Sequence, residues 1–174
     1  MIDTALSAML FSAGERLPHA AVVFAASYLI WVMAALLVIA LWRSRTTHRA
    51  FALLAASALL AYAINGVIGF FVARERPFVS GDVAHALINT AHLGGSFPSD
   101  HAAVAWALAF GYAFGKQKNA WLFFGIAFLV SVGRVVAGVH FVGDVAGGAI
   151  VGLASSALIR FCLRSRLTRA AFLR

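Results

Sequence analysis

The sequence predicts an all-α, polytopic membrane helix bundle of about five transmembrane helices plus an N-terminal interfacial helix, forming a single domain over residues 1–174. Three observations carry this. Hydrophobic residues make up 63% of the chain and charged residues 11%, so a water-soluble fold would present too apolar a surface to stay dissolved. Two runs, Ala20 to Trp42 and Ala50 to Val72, carry no charge and exceed the roughly 20 residues that a hydrocarbon core requires. The basic residues behind a net charge of +8 punctuate apolar runs instead of spreading along polar segments, which argues for membrane topology and against nucleic acid as a partner.

In chain order, Ile2 to Leu17 places Ile2, Ala5, Leu6, Met9 and Leu10 among Asp3, Glu15 and Arg16, the pattern of a helix lying in the membrane interface as an anchor. No basic n-region precedes an early apolar stretch, so no cleavable signal peptide is expected. The two long spans follow. Three shorter runs come next, Ala102 to Gly115, Asn119 to Gly133 and Val145 to Ile159, each about 15 residues and short for a bilayer. Ser99 to His101, Arg134 to Val136 and Phe141 to Asp144 extend them into the headgroup layer, which makes five spans. Gly143, Gly147, Gly148 and Gly152, like Gly111 and Gly115, suit close helix packing. Trp31, Trp42, Trp106 and Trp121 read as lipid contacts or interfacial anchors. The lone Cys162 excludes a disulfide within the chain and reads as a buried, inert thiol.

Charge placement orients the bundle. With the N-terminus outside, the inner segments hold Arg43, Arg45, Arg49, Lys116, Lys118, Arg160, Arg164, Arg166, Arg169 and Arg174. The outer segments keep Arg16, Arg74, Arg76 and Arg134 with all the acids: Asp3, Glu15, Glu75, Asp82, Asp100 and Asp144. Every loop then obeys the positive-inside rule, and the C-terminus is cytoplasmic. The basic tail from Arg160 suits anionic lipids of the inner leaflet, although topology alone also accounts for it.

Three polar clusters fall on the outer side: Arg74, Glu75, Arg76 and Pro77; Pro98, Ser99, Asp100 and His101; Arg134, His140 and Asp144. Ionisable groups at membrane depth are costly unless paired or hydrated, so their gathering at helix ends marks a functional site. Arginines to hold equatorial oxygens, a nucleophile and an acid for the leaving group are what phosphoryl transfer requires. His140 and Asp144, four residues apart, share a face if a helix begins near His140, and Asp144 can then orient the imidazole for attack. A buried His–Asp pair serving structure only is the other reading of those two residues. Arg134 adds a cation to the patch. Ser99 resembles an N-cap whose neighbouring amides face an anion, and His101 in the first turn is a candidate general acid. His85 and His92 read as headgroup-facing loop residues, since no Cys, Asp or Glu stands near them at metal-ligand spacing.

The stretches RPF at Arg76 to Phe78, SFPSDHA at Ser96 to Ala102 and GRVVAGVHFVGD at Gly133 to Asp144 together resemble the type 2 phosphatidic acid phosphatase family over about half the chain. The resemblance implies that His140 attacks phosphorus to form a phosphohistidine, Asp144 supports it, and His101 protonates the leaving group. Arg76, Ser99 and Arg134 would bind phosphate, and neither metal nor another cofactor is implied. The chain departs from the family pattern at Gly69, where a lysine is usual, at Gly133, where serine is common, and at Asp100, where many members have glycine. Arg74 stands in as a further candidate phosphate ligand, beside Pro77, and Asp100 would need Arg74 or Arg76 as its partner. The SDHA variant, Asn65 and HALINTAHLGGSF resemble the bacitracin-resistance branch of the family. That implies undecaprenyl pyrophosphate as substrate, in a bacterial inner (plasma) membrane with the site facing the periplasm. Phosphatidylglycerol phosphate, phosphatidic acid or lipid A are the alternatives within the class. A non-enzymatic lipid-binding or transport protein is the alternative outside it.

Overall fold

The computed structural model describes residues 2–44, 48–90, 95–115 and 117–172, with side chains as far as Cys162. Arg45, His92, Lys116 and Arg174, and the side chains of Arg164, Arg166 and Arg169, lie outside the described residues. The described residues are helical or irregular, with no strand among them. Helix α1 covers Ile2–Gly14, α2 His19–Arg43 and α3 His48–Val72. A single turn, α4, occupies Pro77–Ser80, followed by α5 at Asp100–Phe114, α6 at Ala120–Val136 and α7 at Val142–Phe172.

Helix α2, the stretch His48–Ser80 and the Val142–Cys162 part of α7 are each long and apolar enough to cross a membrane. Helices α5 and α6, of 15 and 17 residues, are shorter. At 1.5 Å per residue they reach about 22 to 26 Å, below the ~30 Å of a hydrocarbon core. Neighbours compensate for that shortness in α5. Its Ala102, Ala103, Ala105, Ala107 and Ala109 are all buried, because α5 packs against α3, α6 and α7 instead of facing lipid. The three polar clusters gather at one end of this bundle.

Small residues set the tightest contacts. A Cβ on Gly148 would lie 2.7 Å from the Ser99 carbonyl oxygen, and one on Gly152 would lie 2.6 Å from that of Ala103, so α5 and α7 meet backbone to backbone. The larger apolar cluster lies between α2, α5 and α6. Met33, Leu37 and Leu41 recur every fourth residue on α2 and bury one stripe against Ala105, Ala109, Tyr112, Phe123, Ile126 and Val130. The opposite stripe stays exposed, as at Trp31, Val38 and Trp42, which suits a bilayer solvent. Two sequence expectations fail here. Trp106 is half-buried and its indole N–H donates to Ser131 Oγ at 3.0 Å, so it ties α5 to α6 instead of anchoring in lipid alone. Cys162 is exposed on α7, not buried, because its face of the helix lies outside the bundle.

Helix α1 is more than an interfacial anchor. The residue preceding α7 is Phe141, whose side chain has no acceptor, so the first amides of α7 need partners from elsewhere. The Val142 N–H donates to Ser7 Oγ at 3.0 Å and the Gly143 N–H to Asp3 Oδ1 at 2.8 Å. Buried Ser7, Phe11 and Gly14 form the contact face of α1. A helix from the start of the chain thus caps one near its end.

Helix α2 contains a π turn at Phe24–Tyr28. Such a turn shifts the backbone hydrogen-bond pattern and frees carbonyls. The Ala26 carbonyl accepts from Arg134 Nη1 at 3.0 Å, while a Cβ on Gly133 would lie 2.8 Å from the Ala25 carbonyl carbon. Gly133 is therefore required by the approach of α2. Gly133→Ser is expected to cost about 1–3 kcal/mol by overpacking. A thermal unfolding midpoint in detergent equal to that of the parent chain would contradict the close approach.

Candidate active site

The site is assembled around Asp144, in the first turn of α7 and 0% exposed. A buried carboxylate is tolerated only when donors surround it. Oδ2 accepts from the Ser96 hydroxyl and from the Phe141 N–H at 2.7 Å, and Oδ1 accepts from Arg74 Nη1 at 2.8 Å. Its backbone carbonyl takes the Ser99 N–H at 3.1 Å. The three sequence clusters therefore meet at one residue.

Ser96 is the second junction, and the sequence reading gave it no role. Its N–H donates to the Arg74 carbonyl at 2.6 Å, its hydroxyl serves Asp144, and its carbonyl lies 2.8 Å from His140 Nδ1. A carbonyl can only accept, so Nδ1 carries the proton and the lone pair of the neutral ring is on Nε2. This corrects the expected arrangement. Helix α7 begins at Val142, so His140 precedes it, and Asp144 Oδ2 stands 3.6 Å from Nδ1, too far to accept directly. Asp144 orients the imidazole at one remove, by holding Ser96 and Phe141. Burial pushes the His140 pKa below its ordinary value, outweighing the raising effect of Asp144, and Arg134 and Arg76 lower it further. The ring is neutral at pH 7.

His101, His140, Arg76 and Arg134 lie close enough to act on one another's charge. Arg76 sits just before α4, gives Nη1 to Thr90 Oγ1 at 3.1 Å, and has a buried Nε without a partner among the described residues. Arg134 is 5% exposed, and its Nε is likewise unpartnered among them. Ser99 occupies the N-cap position of α5, yet its side chain makes no capping bond, and its buried hydroxyl joins the same set. These donors are what an anion held at the start of α5 would use. Pro77 is fully buried and has no side-chain donor, so in place of the expected substrate contact it seats Arg76 at the start of α4.

Two further residues depart from expectation. Arg74 does not point a free guanidinium at a ligand: Nη1 binds Asp144, Nη2 binds Asp3 Oδ2 at 2.8 Å, and the group lies 3.9 Å from the centre of the Phe141 ring. Asp100 pairs with neither arginine. Its Oδ1 accepts from Asn65 Nδ2 at 2.9 Å, although its charge still bears on Arg76 and Arg134. His85 is exposed and meets Phe11 edge to face. Asp3 and Ser96 were illegible as site residues because their partners lie far away in the chain.

A multi-pass helical bundle that gathers histidines and arginines at one end, beside buried donors with no partner among the described residues, has the make-up of a membrane phosphatase. More particularly, residues 50–167 match the PAP2 superfamily, and the chain belongs to that family. It is 32% identical over 140 residues to bacitracin transport permease protein BcrC of Bacillus licheniformis, covering 79% of this chain and 68% of the relative. It is 33% identical over 133 residues to undecaprenyl-diphosphatase BcrC of Bacillus subtilis (strain 168), covering 75% and 67%. The fold is similar to that of Aquifex aeolicus LpxE, with TM-score 0.72 and 22% identity over 91% of this chain and 94% of that one. It is also similar to a PAP2 type phosphatidylglycerolphosphate phosphatase from Bacillus subtilis, with TM-score 0.62 and 22% identity over 92% and 86%.

The Asp3–Arg74–Asp144 chain yields a test that needs no substrate. Asp3→Asn is expected to cost about 1 kcal/mol, and clearly less in an Arg74→Gln background, because partners in one network are not additive. Equal losses of thermal stability in both backgrounds would show that Asp3 does not act through Arg74.

Proposed function

We propose that this membrane lipid phosphatase hydrolyses undecaprenyl pyrophosphate to undecaprenyl phosphate and inorganic phosphate, recycling a carrier lipid of cell wall synthesis. The whole chain acts as one domain in a bacterial inner membrane, with the active site facing the periplasm. The observation that carries the chemistry is His140 with Nδ1 held by the Ser96 carbonyl, beside buried donors of Arg76, Arg134 and Ser99 that have no partner among the described residues.

In the first step Nε2 of His140 attacks the terminal phosphorus while the bond to the bridging oxygen breaks; His101, which takes up a proton as the anionic substrate binds beside it, gives that proton to the departing oxygen. Arg76, Arg134 and Ser99 hold the equatorial oxygens as negative charge builds on them. In the second step water attacks the phosphohistidine, His101 takes its proton, and the phosphorus–nitrogen bond breaks to release phosphate. Asp144, Arg74 and Asp3 position His140 without touching the substrate. Asp100, held by Asn65, moderates the positive charge of the pocket and limits how tightly product phosphate is retained.

The substrate assignment is supported by the Bacillus subtilis relative, whose name is undecaprenyl-diphosphatase. Phosphatidylglycerol phosphate, phosphatidic acid and lipid A are the competing substrates. The Bacillus licheniformis relative is named a bacitracin transport permease, which favours a second reading, a non-enzymatic lipid-binding or transport protein. Both are tested by phosphate release from detergent-solubilised protein offered undecaprenyl pyrophosphate, phosphatidylglycerol phosphate and lipid A. The highest kcat/KM is expected for the pyrophosphate, with His140→Ala reducing kcat by at least about a thousandfold, as for loss of an attacking group. A higher value for another lipid would displace the substrate. Turnover unaffected by His140→Ala would displace the mechanism, and binding without turnover would favour transport.

A further inference from the structure

The end of the bundle opposite His140 has its own feature. Here α2, α3, α5 and α7 part around a cavity of ≈ 270 Å³ walled by Leu41, Leu53, Leu54 and Ile159. Arg49, in the first turn of α3, and Arg160, on α7, also line it. The hydroxyls in its wall are engaged within the protein: Ser57 donates to the Leu53 carbonyl at 2.8 Å and Ser156 to that of Ala107 at 2.8 Å. Arg160 rests 5.4 Å over the Phe114 ring, a contact that keeps its charge and fixes its position. Neither arginine forms an ion pair among the described residues, and every Asp and Glu of the chain belongs to segments at the other end.

An aliphatic slot closed by two guanidiniums and remote from every side-chain carboxylate is complementary to an amphiphile with one chain and an anionic head. Positive charge at this end is expected from topology, and topology alone would leave the arginines anywhere on the surface. These two share one cavity instead, whereas Arg43, also at this end, does not line it. We propose that the cavity binds an anionic phospholipid of the leaflet opposite the active centre. Its phosphate diester lies between Arg49 and Arg160, and one acyl chain runs along Leu41, Leu53, Leu54 and Ile159. The site is separate from the catalytic one and does not depend on which lipid is hydrolysed.

The test uses the full chain in neutral detergent, titrated with phosphatidylglycerol, phosphatidylcholine or oleate. Bound lipid is counted by native mass spectrometry, with the thermal midpoint followed in parallel. Phosphatidylglycerol is expected to bind one per chain and to raise the midpoint. Arg49→Gln combined with Arg160→Gln weakens it by about tenfold or more, as for two lost charge-assisted contacts. Arg43→Gln leaves binding unchanged, and Leu53→Trp, which fills the slot but keeps both arginines, abolishes it. Equal binding of phosphatidylcholine, equal weakening by Arg43→Gln, or full binding by Leu53→Trp would each overturn the proposal. Tighter binding of oleate would overturn the phospholipid assignment. Should the double variant fail to fold, the headgroup comparison on the parent chain and the Leu53→Trp variant still decide.

Discussion

A carboxylate with no access to water must be surrounded by hydrogen-bond donors, and in this protein that demand organises the whole polar end of the bundle. Asp144 is served by the Ser96 hydroxyl, the Phe141 N–H and the Arg74 guanidinium, drawn from three separate stretches of chain. Removing one partner of a buried charge is far more costly than the net worth of the pair, so the three stretches have little freedom to separate. The orientation of His140 follows from the same network. Ser96, fixed through its hydroxyl, presents its carbonyl to Nδ1, and the opposite nitrogen is left with its lone pair. Asp3 extends the chain of charge outward through Arg74 and links it to the capping of α7.

Around this polar end the bundle is held by shape. In a bilayer there is no hydrophobic drive between helices, and association rests on close packing and a few interhelical hydrogen bonds. Gly148 and Gly152 let α7 meet α5 at backbone distance, which brings Asp144 to Ser99 and sets His101 beside them. Gly133 does the same for α2 and α6, where the π turn offers its Ala26 carbonyl to Arg134. Arg134 is thereby anchored through one nitrogen, while its buried Nε has no partner among the described residues.

The helices were legible in the sequence because the apolar runs of Ala20 to Trp42 and Ala50 to Val72 need no tertiary context to be recognised. The short spans were legible only with their flanks, and the cause lies in α5, whose alanines are shielded by protein rather than lipid. The residues that converge were readable from their order and chemistry. Their hydrogen-bond partners were not, since partner choice is decided in space. Arg74 looked available for phosphate until Asp3 and Asp144 were found on either side of it. The glycine at position 133 looked like a loss of a polar group and proves to be a steric requirement of a π turn on another helix. Ser96 was hidden because its most consequential group is a backbone carbonyl, which no side-chain pattern records.

The central claim is that this network aims Nε2 of His140 at phosphorus, so the most direct measurement is of the bond it would form. Protein mixed with lipid pyrophosphate labelled in the terminal phosphate, quenched in base within the first turnover and digested, should yield label on the peptide containing His140. The label should be lost in acid, as a phosphoramidate is. Label on another residue, or turnover in which no acid-labile phosphopeptide forms under any quench time, would contradict the account.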